Sequence, residues 1–93
     1  MRPEINLKVI APRGHALRDG GIVWSGVLTC DGKRVLIFEN RGDGGCCRLD
    51  WKPGIDRAPI ERALERLTTA SFEAVDAGLG VLWDRAMMQA CAS

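Results

Sequence analysis

Tyrosine is absent from this 93-residue sequence, and histidine occurs once, at His15. One histidine leaves little room for acid–base or nucleophilic chemistry built on imidazole. No spacing selects a cysteine partner for it, so His15 is expected to be an exposed residue with no catalytic role. No nucleophile elbow, zinc-protease or phosphate-loop motif is present. These absences point away from an enzyme and leave the catalytic residues as none. No apolar run approaches the ~20 residues that a membrane helix requires. The opening Met1-Arg2-Pro3-Glu4 carries no apolar export core, so the expected location is the cytoplasm and the expected partners exclude a membrane.

The four cysteines, Cys30, Cys46, Cys47 and Cys91, contain no C-x-x-C pair. Adjacent residues on a strand point to opposite faces, so Cys46 and Cys47 are poorly placed to share one metal ion. No metal and no cofactor is therefore expected, and in a reducing compartment the cysteines are expected to be thiols used as small apolar residues. Charge of one sign is also missing, because the net charge is only +1. That argues against a strongly basic nucleic-acid binder and equally against an acidic nucleic-acid mimic. The charge is divided, with a balance of +3 over residues 1–54 and −2 over 55–93.

What is present reads as one domain over residues 1–93, mainly β in 1–54 and mainly α in 55–93. Ile5-Asn6-Leu7-Lys8-Val9 alternates at period two and predicts a strand. Residues 11–21, with Pro12, Gly14, Gly20 and Gly21, predict a loop. Two β-like runs, 22–30 and 33–40, flank Asp31-Gly32, the strongest short-range hairpin signal because both turn positions need positive φ. A plain two-residue turn predicts that Trp24, Leu28, Val35 and Ile37 share one face while Val23, Val27, Leu36 and Phe38 share the other. Both faces are apolar, so the hairpin should be central, with helices on one side and a cover or partner on the other. Cys46 to Trp51 alternates again, with Cys47, Leu49 and Trp51 opposite Arg48 and Asp50.

Asp56 is placed to cap a first helix with Pro59 in its first turn. Ile60, Ala63, Leu64 and Leu67 then form its apolar stripe, and Glu61, Arg62, Glu65 and Arg66 its polar face. Ser71 is placed to cap a second helix, with Glu73 in its first turn and Phe72, Val75, Leu79, Leu82, Trp83, Ala86 and Ala90 in one stripe. Gly78 and Gly80 interrupt that helix and suggest close packing. The fold class is therefore α+β: an antiparallel three- or four-stranded meander with two C-terminal helices packed on one face.

The most unusual stretch is Asn40-Arg41-Gly42-Asp43-Gly44-Gly45. Its glycines either build a tight turn with a bulge or aim backbone N–H groups at a ligand, with Arg41 and Arg48 nearby. Conformationally special loops often carry binding, so the candidate recognition residues are Asn40, Arg41, Gly42, Asp43, Gly44, Gly45, Arg48 and Lys52, together with Trp24 and Trp51 as aromatic anchors.

The run Asp31-Gly32-Lys33, strand, Asn40-x-Gly42-x-Gly44-Gly45-Cys46 resembles a hairpin motif of small proteins from phages and other mobile elements. The likeness spans about a third of the chain, and Arg41 departs from it where those proteins usually carry Asp. The resemblance implies a small anti-defence factor, of the kind that includes anti-CRISPR proteins. Such a factor would bind a component of a host defence system and inhibit it by occlusion, from the cytoplasm of the host cell. Two alternatives are kept. One is a nucleic-acid or nucleotide binder using Arg34, Arg41, Arg48 and Lys52; the other is a homo-oligomeric structural protein, with a homodimer as its simplest form.

Overall fold

A computed structural model describes residues 5–42, 47–68 and 74–92. Four strands, β1 (Leu7–Ala16), β2 (Ile22–Cys30), β3 (Lys33–Asn40) and β4 (Arg48–Trp51), precede two helices, α1 (Arg57–Glu65) and α2 (Ala74–Ala92). The strands form one antiparallel sheet in the order β1-β2-β3-β4, so the chain is an α+β meander with helices on one side. The helix α2 lies against β1 and against α1. Val9, Leu28, Val35, Leu36, Phe38, Ile60, Leu64, Leu79 and Leu82 make one continuous core between sheet and helices.

The Asp31-Gly32 turn forms as the sequence predicts, with φ of 53° and 85°, the pair of positive values that a type I′ hairpin requires. The register beyond it differs from the expectation. Cys30 pairs with Lys33 and Thr29 with Arg34, but Leu28 then pairs with Leu36 and Gly26 with Phe38, so Val35 is an extra residue in β3. A bulge of this kind turns two successive side chains towards the same side. Val35 and Leu36 are both buried, at 3% and 2% exposure, and Phe38 is fully buried. Ile37 is thereby sent to the opposite face, where it is 57% exposed. The expected grouping of Val35 with Ile37, and of Phe38 with Val27, is corrected accordingly.

The loop expected over residues 11–21 is also corrected, since β1 continues to Ala16. A second bulge lies between Ile10 and Arg13, where Ala11 takes φ 51°. Pro12 is tolerated there because β1 is an edge strand and the bulge removes the need for its missing N–H. Past the bulge Gly14 pairs with Trp24, and His15 pairs with Val23. His15 is therefore an exposed strand residue rather than a loop residue. A Cβ on Gly14 would lie 2.7 Å from the Trp83 ring, so glycine is the side chain that lets the indole settle on the edge strand. The Trp83 Nε1–H donates to the carbonyls of Arg13 and Ser25, each at 3.1 Å, which satisfies the polar end of an otherwise apolar ring.

The helices follow their apolar stripes. In α1, Ile60 and Leu64 are buried. Asp56 occupies the N-cap position without a side-chain capping hydrogen bond, a departure from the expected cap. In α2, Leu79 and Leu82 are buried, Val75, Trp83 and Ala86 pack around them, and Ala90 is exposed. The expected capping by Ser71, with Phe72 and Glu73, lies outside the described residues. One polar tie fixes the start of α2: Asp76 Oδ2 accepts from the Cys47 backbone N–H at 3.0 Å. Asp76→Ala is expected to cost about 1–2 kcal/mol in chemical denaturation, because a hydrogen bond to a charged group is lost at a half-buried site. An unchanged midpoint would show that the tie contributes nothing.

Candidate protein-interaction surface

Among the described residues, the helices cover one face of the sheet and nothing covers the other, called here the open face. The pairing of the strands writes its residues as rows. Ile10 on β1 pairs with Val27 on β2, Val27 pairs with Ile37 on β3, and Ile37 pairs with Asp50 on β4. A row of three aliphatic side chains therefore crosses the sheet and ends at a carboxylate. Ile10 is 36% exposed and Ile37 57%. On one side of this row lie Lys8, Thr29 and Arg34; on the other lie Arg13, Ser25, Glu39 and Arg48. The five charged residues in those flanking rows are exposed, and Thr29 is buried, with its hydroxyl donating to the Lys8 carbonyl at 3.3 Å. Towards the β4 end, Val27, Ile37, Arg34, Asp50, Lys52 and Pro53 border a hollow of about 270 Å³.

The residues predicted as a recognition set are divided by the fold. Arg48 stands on the open face, and Lys52 borders the hollow at its end. Trp24 and Trp51 face the helices. Trp24 meets Phe38 edge-on at 5.7 Å and 65° and Trp83 at 5.7 Å and 53°. Trp51 is half-buried, with the Arg57 guanidinium 5.4 Å from its ring. Asn40 is half-buried and structural: its Oδ1 accepts from the Gly42 N–H at 2.9 Å, and its Nδ2 contacts Cys47 Sγ at 3.6 Å. Gly42 takes φ 74°, and its carbonyl lies against Gly21. Arg41 is exposed and pairs with Glu39 at 3.5 Å. Asp43, Gly44 and Gly45 lie outside the described residues.

Lys8, Ile10, Arg13, Val27, Ile37 and Glu39 were not in the predicted set. Two local features hide them: the bulge at Val35, which reassigns Ile37, and the Pro/Gly composition of residues 11–21, which reads as loop. The repeated period-two alternation around Ile10 is the signal that could have found the first of them.

Cys30 and Cys47 are thiols; Cys46 and the Cys91 side chain lie outside the described residues. Burial, and then the neighbouring Asp31 carboxylate, push the Cys30 thiol above its ordinary range. It stays protonated at neutral pH, the opposite of what a thiolate nucleophile needs. Among the described residues no three His, Cys, Asp or Glu side chains come together as a metal site, and no helix is long and apolar enough to cross a membrane.

The fold and surface together define a small α+β domain with one amphipathic sheet face that no described residue covers. No protein-family model matches the chain, and no curated protein or solved structure is significantly similar to it.

Proposed function

We propose that this chain is a protein-binding module that engages its partner through the open face of the sheet. The observation that supports it is the Ile10–Val27–Ile37 row, an apolar strip left in water on a domain whose helices cover only the other face. Contiguous exposed apolar surface rimmed by charge is characteristic of interaction sites. Arg13, Arg34, Arg48 and Lys52 would supply orientation at the rim, and Arg41 extends it beyond the end of β3. The finer reading, a phage or mobile-element factor that blocks a host defence component by occlusion, is supported by the hairpin resemblance alone.

The cations around the strip also favour a second reading, in which the face binds a nucleic acid. Glu39 and Asp50 stand among those cations and weaken it. Ile37→Asp is the discriminating variant. Its side chain is exposed, so the domain should fold, and binding to a co-eluting protein partner should fall at least tenfold. If the variant folds and the partner binds it like wild type, the site lies elsewhere. A nucleic-acid mode would instead show binding of a labelled oligonucleotide that falls steeply between about 50 and 200 mM salt.

A further inference from the structure

We propose that the outer edge of β1 is a docking site for an extended, acidic peptide segment of another protein, which joins the sheet as an added strand alongside α2. The site is separate from the open face and does not depend on it.

The backbone of β1 decides what can bind there. The Asn6 carbonyl accepts from the Asp31 N–H at 2.9 Å, and the Lys8 carbonyl accepts from the Thr29 hydroxyl at 3.3 Å. Both residues therefore turn their peptide groups towards β2. Successive residues of an antiparallel strand alternate in this respect, so Leu7 and Val9 turn their N–H and C=O groups away from β2. β1 is an end strand of the sheet, and among the described residues nothing bonds to those groups. They repeat at the two-residue spacing of a strand ladder, which another extended chain satisfies.

The rest of β1 is blunted against such pairing. Ala11 has φ 51°, Pro12 has no N–H, and the strand bulges between Ile10 and Arg13. Bulges and prolines are the devices by which proteins protect a sheet edge. They leave Leu7–Ile10 as the stretch of β1 open to a partner, enough for about four residues of added strand.

Helix α2 supplies the side-chain half of the site. Leu82, Arg85, Ala86 and Gln89 stand across from residues 6–9 and border a groove of about 250 Å³. Residues of an added strand that lie opposite Leu7 and Val9 point to the same side of the sheet as these two. That side is the groove, where Leu82 and Ala86 offer apolar contact. The residues between them point the other way, beside Lys8. Two cations, Lys8 and Arg85, border the groove, and no carboxylate does. The complementary segment therefore alternates small apolar residues with acidic ones. A second copy of this chain fits poorly. The twofold register that pairs Leu7 with Val9 of the second copy sets Lys8 directly opposite Lys8, an unfavourable like-charge pair.

So short a ladder implies weak binding, with a dissociation constant of roughly 10–500 μM. The test is an amide-resolved NMR titration of the isotope-labelled full chain with a capped peptide of alternating valine and glutamate. In the free protein the Leu7 and Val9 amides should exchange with solvent faster than those of Lys8 and Ile10. Saturating peptide should slow exchange at Leu7 and Val9 by roughly tenfold or more. Lys8→Glu and Arg85→Glu replace exposed side chains, so both should fold, and each should weaken binding by roughly threefold to tenfold. The same peptide N-methylated at its valines lacks the donors that face β1 and should bind at least about tenfold more weakly. Absence of binding, binding without protection of Leu7 and Val9, or indifference to N-methylation would each overturn the proposal. Protection that appears with rising protein concentration alone would show a second copy on β1 and overturn it too. Ile37→Asp should bind the peptide like wild type, so failure of the open-face reading and failure of this site are distinguishable.

Discussion

Phe38→Ala should cost about 3–5 kcal/mol of folding stability, whereas Ile37→Ala, one residue earlier on the same strand, should cost under about 1 kcal/mol. The two residues are both large and apolar, so composition gives no reason to separate them. Their positions do. Phe38 is fully buried, sits opposite Gly26 and meets the edge of Trp24. A Cβ on Gly26 would come within 3.0 Å of its ring, so the ring fills the space that the glycine leaves and no neighbour can easily collapse into it. Ile37 is more than half exposed and loses little on truncation. In a domain of this size 1 kcal/mol moves the melting midpoint by roughly 4–8 °C, so the contrast between the variants should exceed 10 °C. Equal losses would mean that Val35 is not a bulge and that the faces are divided as an uninterrupted hairpin would divide them.

That contrast also shows which parts of the fold were legible in the sequence. The Asp31-Gly32 turn is local chemistry, and the hairpin follows from two adjacent residues that accept positive φ. The alternation Cys47, Leu49, Trp51 against Arg48, Asp50 reads directly onto the two faces of β4, because nothing interrupts its period. The helix stripes are legible for the same reason. A bulge is different. It inserts one residue without any composition signal, and Lys33-Arg34-Val35-Leu36 offers two adjacent apolar residues whose joint burial depends on the helices above. The same applies to β1, where Pro12 and Gly14 look like loop residues. Gly14 is explained only by Trp83, 69 positions further along the chain, whose indole needs the vacant Cβ site. The candidate surface inherited both errors. Its sheet face was expected to be open, but the residues that make it attractive to a partner lie at positions that the two bulges reassigned.

Gly78→Ala is expected to destabilise the domain by about 3 kcal/mol, at the upper end of overpacking costs, while Gly80→Ala two residues later should be neutral or stabilising by up to ~1 kcal/mol. Helix propensity alone predicts the same gain at both sites, so any difference between them measures tertiary contact. A Cβ at Gly78 would land on the Leu64 carbonyl oxygen and lie 2.8 Å from its carbonyl carbon. The obstacle is backbone, with no rotamer to escape into, and Leu64 is itself fully buried in the shared core. Relief would require α1 and α2 to move apart, opening the packing of Leu64 and Leu79. At Gly80 the nearest atom is the Trp24 ring at 3.8 Å, an ordinary van der Waals contact that a methyl group would fill. Adding Leu64→Ala to Gly78→Ala should rescue nothing, since truncating the side chain leaves the carbonyl in place. Urea denaturation of the variants reads all three effects directly. A Gly78→Ala protein as stable as Gly80→Ala would show that the two helices do not approach at Leu64, and that Gly78 serves no packing purpose.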